Sequence, residues 1–107
     1  MSAISYEVGI TFHQPRLLPA WVEWLEREHI ADVMSGGATS AQVVRLDSES
    51  GSDEAPRCVV RYEFPNREAF DRYLRDHAPR LRVEGLARFA PPDVTYERRC
   101  GDVLLRR

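Results

Sequence analysis

The chain has 107 residues, 43% of them apolar and 30% charged, which suits one domain-sized core and is too apolar for a disordered segment. The formal net charge is -2, and the 15 basic residues, all arginine, are spread along the chain, which argues against nucleic acid as a partner. Met1 to Phe12 lacks a basic stretch followed by an apolar run, and no segment has the length to span a bilayer. A cytoplasmic protein without membrane contact is therefore expected.

The first element reads as a strand. Ile4, Tyr6, Val8, Ile10 and Phe12 alternate with small or polar residues, the period of a half-buried strand. Pro15 and Pro19 punctuate the turn that follows. Pro19 suits the first position of a helix, where its missing N–H is not needed. That helix is expected to reach about Met34 and to stop at Gly36-Gly37. A second strand is expected over Thr39 to Leu46. Asp47 to Pro56, rich in Ser, Gly and acidic residues, reads as a mobile hairpin loop. The third strand, Arg57 to Phe64, turns Cys58, Val60, Tyr62 and Phe64 to one side and Val59, Arg61 and Glu63 to the other.

Asn66 is placed to cap a second helix, continued by Phe70, Leu74 and His77. Pro79 cannot sit inside a helix without breaking it, so a shorter helical piece is expected from Pro79 to Phe89, ended by Pro91-Pro92. The fourth strand covers Val94 to Cys100, with Val103, Leu104 and Leu105 as a candidate extension. Two strand-helix-strand halves in one domain spanning residues 1–107 give the α+β class. The expected architecture is the ferredoxin-like β-α-β-β-α-β order, a four-stranded antiparallel sheet with both helices on one face. The other face would carry Glu7, Gln42, Val59, Arg61, Glu63, Glu97 and Arg99. Opposite charges there can pair across a two-fold axis, so a homodimer through that face is expected.

Residues advance about 100° around a helix axis. With Trp21 at zero, Leu25 falls at about 40° and His29 at about 80°, inside the apolar stripe that must face the sheet. With Phe70 at zero, His77 falls at about 340° and Tyr73 at about 300°. Two imidazoles, the candidate acid/base groups His29 and His77, are thus expected between helices and sheet. Trp21, Tyr6, Tyr62 and Tyr73, with Trp24 beside them, would supply aromatic walls for a small-molecule ligand. Burial disfavours the imidazolium, so His29 is expected to titrate below its ordinary range, with Glu28 and Asp32 able to oppose that shift. His13 lies in the turn after the first strand.

Several chemistries lack their sequence signals. Gly36-Gly37 ends a helix and does not open one, no G-x-S-x-G elbow is present, and no two-histidine helical metal motif occurs. Cys58 and Cys100 lack CxxC spacing and read as free thiols, not as a zinc or redox site. No metal and no cofactor is expected.

Two segments carry a resemblance. One is Trp21-x-x-Trp24-Leu25 with His29-Ile30. The other is Tyr73-Leu74-x-x-His77-Ala78-Pro79-x-Leu81 with Gly85-Leu86-x-Arg88-Phe89. Together they resemble the short bacterial proteins of domain of unknown function family 4286, over nearly the whole chain. Ala31 stands where such proteins often have Pro, a departure that leaves His29 untouched. The resemblance implies a ferredoxin-like fold of the dimeric α/β-barrel type. That wider superfamily includes cofactor-independent monooxygenases, isomerases, haem-degrading enzymes and effector-binding domains, so it implies no single reaction. The expected function is a small homodimer that binds an apolar or aromatic molecule between helices and sheet. The alternative is a cofactor-independent monooxygenase or isomerase with His29 as acid or base.

Overall fold

The computed structural model describes residues 2–48 and 54–107; residues 49–53, the centre of the expected loop, lie outside the described residues. The strands are β1 (Ile4–Phe12), β2 (Ser40–Arg45), β3 (Arg57–Phe64) and β4 (Val94–Asp102). Helix α1 (Leu17–Trp24) passes through a π-helical turn, Leu25–His29, into α2 (Ile30–Ser35), and α3 (Arg67–Asp76) is followed at once by α4 (Ala78–Arg88). The sheet runs β2-β3-β1-β4 with every neighbouring pair antiparallel, the ferredoxin-like arrangement the sequence predicts.

Period-two alternation sets the faces of the sheet. On β1, Ile4, Tyr6, Ile10 and Phe12 are buried beneath the helices, and on β3 so are Cys58, Val60, Tyr62 and Phe64. Phe70 and Tyr73 pack as tilted rings 5.0–5.1 Å from Phe64, tying α3 to β3. Each such fully buried apolar side chain contributes about 1.5–3 kcal/mol. At the edges, β2 is prolonged by Thr39, whose N–H donates to the Glu63 carbonyl, and by Leu46, whose N–H donates to the Arg57 carbonyl.

The helices depart from expectation in two places. The first begins at Leu17, so Pro19 is its third residue. The whole first turn lacks intrahelical acceptors for its N–H groups, and proline is therefore tolerated there as well. Farther on, the Ile30 N–H donates to the Leu25 carbonyl, five residues back, so the helix is not a continuous α-helix. It stops where expected, with Gly37 at φ 124°, a conformation that favours glycine. In the second helical pair, Asn66 Oδ1 accepts from the Ala69 N–H at 2.8 Å as a cap. The break falls at His77, and Pro79 sits in the first turn of α4.

The open face of the sheet carries the expected charges, and Glu7, Arg61 and Arg99 among them pair within one chain. Glu7, whose side chain is 19% exposed, accepts from Arg61 at 2.8 Å and from Arg99 at 2.9 Å, one on each neighbouring strand. Arg61 beside Glu7 holds its carboxyl below the ordinary range, helped by Arg99 and opposed by burial. Val59 lies on the same face between Gly9 and Val44 in register and is buried. The chain end adds no further strand. The Val103 N–H makes one more rung to Ala3, after which Leu104 and Leu105 are 93% and 76% exposed.

Candidate functional site

A cavity of about 50 Å³ lies between the helices and the covered face of the sheet. That exceeds the roughly 10–15 Å³ one water needs, so it admits several waters or part of a small organic molecule. Its floor is sheet: Tyr6 and Val8 from β1, Val60 and Tyr62 from β3, Tyr96 and Arg98 from β4. Its roof is helical: Trp21, Trp24, Leu25 and His29 from the first helix, Tyr73 from α3, and Leu81, Arg82, Gly85 and Leu86 from α4. Val8 occupies an inward position yet is only half-buried, because the cavity opens above it.

His29 reaches the cavity by way of the π turn. In an α-helix, residues five apart point about 140° away from one another. The i→i+5 turn brings them nearly into line, and the His29 ring stacks on Trp24 with centroids 4.4 Å apart and planes at 21°. Burial lowers the His29 pKa to about 4; the Asp32 charge opposes the shift and the Arg98 charge adds to it. At neutral pH His29 is therefore an uncharged ring with one donor and one acceptor nitrogen.

Two buried polar atoms meet no protein partner. Among the described residues, His29 Nδ1 and the Tyr62 hydroxyl are the buried side-chain polar atoms without a hydrogen bond, and both residues line this one cavity. An unpaired buried polar group costs about 1–3 kcal/mol, a cost that an ordered water or a polar group of a ligand in the cavity would remove. Burial, reinforced by Tyr73 and Tyr6 nearby, pushes the Tyr62 hydroxyl well above the ordinary phenol range, so it stays protonated and able to donate. Burial does the same to Tyr73, again with Tyr6 reinforcing it, although Arg82 and Arg98 pull the other way. Tyr96 is anchored through its own hydroxyl, which donates to the Phe89 carbonyl at 2.7 Å.

The structure brings His29, Trp21, Tyr6, Tyr62 and Tyr73 together around this space and leaves His77 apart. A helical wheel does not apply to His77, because α3 ends at Asp76 and the His77 backbone leaves the helix at φ -123°. Its ring stacks on Tyr73 at 6.3 Å and covers Gly36, where an added Cβ would stand 3.1 Å from the His77 Cγ. His13 is exposed, with Nε2 2.7 Å from the Thr95 hydroxyl. Sequence reading missed Arg82 and Arg98. Arg98 had a signal, since it follows Val94 and Tyr96 at the inward period of β4. Arg82 had none, because the course of α4 over the sheet is not written in its own residues. Among the described residues no group of three His, Cys, Asp or Glu side chains is arranged to hold a metal ion.

Comparison with known proteins agrees with the fold. The chain has a TM-score of 0.73 to a dimeric ferredoxin-like protein from an uncultured marine organism, at 15% identity over 99% of both chains. It has a TM-score of 0.68 to a variant of SnoaB, a cofactor-independent oxygenase from Streptomyces nogalater, at 17% identity over 99% of this chain and 97% of that one. A putative antibiotic biosynthesis monooxygenase from Bacillus cereus gives 0.66, at 13% identity over 100% of this chain and 98% of that one. No curated protein matches the chain. Identities this low speak for the fold alone. Residues 3–99 match the family described as domain of unknown function DUF4286, and the chain belongs to that family.

Proposed function

We propose that this protein is a cytoplasmic homodimer that binds a small aromatic molecule between its helices and its sheet. The observation that carries the reading is the pairing of a ring-lined cavity with two buried, unpartnered polar atoms, His29 Nδ1 and the Tyr62 hydroxyl. Flat walls from Trp21, Tyr6 and Tyr73 favour stacking of an aromatic guest, while the two polar atoms supply orientation. For the dimer, support comes from an open sheet face and from the dimeric description of the marine ferredoxin-like protein.

The oxygenase or isomerase reading asks His29 to move a proton. An effective general base has a pKa near the working pH. His29, lowered to about 4, is a weak proton acceptor at neutrality, which favours binding over turnover.

A set of one- and two-ring aromatic compounds tests this, with the indole N–H signals of Trp21 and Trp24 followed by NMR. Compounds that bind should move both signals, and Tyr62→Phe should weaken those that offer the hydroxyl a partner. Shifts confined to other surfaces, or none, would refute the cavity as a binding site. Light scattering at micromolar concentration should give twice the chain mass, and a clean monomer would remove the dimer.

A further inference from the structure

Building on the ligand reading above, we propose that the bound molecule is an aromatic anion, a flat ring carrying a carboxylate or similar acidic group, and that Arg82 and Arg98 hold its charge. The lining of the cavity contains both arginines and, among the described residues, neither Asp nor Glu. Among the described residues, eight of the other thirteen arginines are matched to carboxylates within the chain. Among the described residues, neither Arg82 nor Arg98 is. Arg82 donates to the Tyr6 hydroxyl at a long 3.4 Å, and the Arg98 guanidinium lies 5.4 Å above the Tyr96 ring. Both cations thus rest against aromatic groups of the cavity wall, from α4 and from β4, without a negative partner.

Arg98 is the more telling of the two. It occupies an inward position of β4, directly across from Val8 and in phase with Val94 and Tyr96. Its side chain lines the cavity while staying exposed to solvent on the edge strand, so it can meet a ligand without being desolvated first. The guanidinium is always charged and presents donors in a planar fork that matches a carboxylate. His29 cannot supply this charge because it is neutral near pH 7. The unpartnered Tyr62 hydroxyl stays protonated and donates, as an anionic oxygen requires. A ring among Trp21, Tyr6 and Tyr73 with its acidic group toward the two arginines satisfies both halves of the cavity.

Matched probes separate this inference from the reading it rests on. Naphthoate and its uncharged amide, naphthamide, have nearly the same shape. Titration at low salt, read by tryptophan emission and by the indole N–H signals, should show naphthoate binding about tenfold tighter, or about 1.4 kcal/mol. Added salt should narrow the gap. The double variant Arg82→Gln/Arg98→Gln should abolish the preference for naphthoate, so that the two probes bind it equally. The single variants, each at the rim, should each lose about threefold and serve if the double variant folds poorly. Equal binding of both probes by the unmodified protein would overturn the anion assignment and leave aromatic binding intact. A preference that survives removal of both arginines would overturn their role. Binding of neither probe would overturn the proposal together with the reading beneath it.

Discussion

Acid should weaken this protein through His29. In the folded chain its pKa is lowered from 6.5 to about 4, chiefly because burial disfavours the charged ring. As pH falls, the unfolded chain takes up the proton first. Stability is thus fully present above about pH 6.5, falls between there and about pH 4, and levels once both states hold the proton. One pKa unit corresponds to about 1.4 kcal/mol, so the whole window is worth about 3 kcal/mol, and about 2.5 kcal/mol is lost by about pH 4.5. Carboxylates also titrate near the lower end, so the contribution is isolated by comparison with His29→Phe. Phenylalanine keeps a flat ring against Trp24 and removes an Nδ1 that has no hydrogen bond to lose. At pH 7 the variant should match the unmodified protein within about 1 kcal/mol or exceed it. Urea unfolding across the window should then show the unmodified protein losing the extra amount and the variant not. NMR titration of the ring protons gives the pKa directly. A midpoint at or above 6.5, or two stability profiles that run parallel, would refute the account of a buried neutral imidazole.

Two further outcomes follow from the frame around the site. Asn66→Ala removes the side chain that caps α3 at 2.8 Å and should cost about 1 kcal/mol in urea unfolding, leaving the sheet intact by circular dichroism. Glu7→Gln breaks the carboxylate bridge between Arg61 and Arg99 across three strands. Since both arginines are largely exposed, the loss at pH 7 should be no more than about 1 kcal/mol. The Glu7 pKa is lowered in the folded state, so this contribution is present above the ordinary carboxylate range and disappears as pH falls below it. Unfolding at pH 7 and pH 3 checks both the size and the direction.

The order of elements was legible in the sequence because each rests on local physics. Alternation of Ile4, Tyr6, Ile10 and Phe12 specifies a strand with one buried face, and the same period on β3 selects Cys58, Val60, Tyr62 and Phe64. Asn66, Gly37 and Pro79 mark helix boundaries through hydrogen bonding and backbone freedom that depend on one or two residues. The aromatic side chains Tyr6, Tyr62, Tyr73 and Trp21 followed, since inward phase on a strand or helix already names the layer they enter. Tertiary packing decided the rest. The π turn that lays His29 on Trp24 is a single-residue change of helical register, and a wheel drawn at about 100° per residue does not contain it. His77 sits where α3 gives way to α4, so its direction is set by Tyr73 and Gly36 and not by periodicity. Arg82 and Arg98 stand 16 positions apart on a helix and a strand, and only the packing of α4 over the sheet brings their uncompensated charges to one cavity. Local residues choose elements; the arrangement of unpaired polar and charged groups around a space depends on how those elements pack.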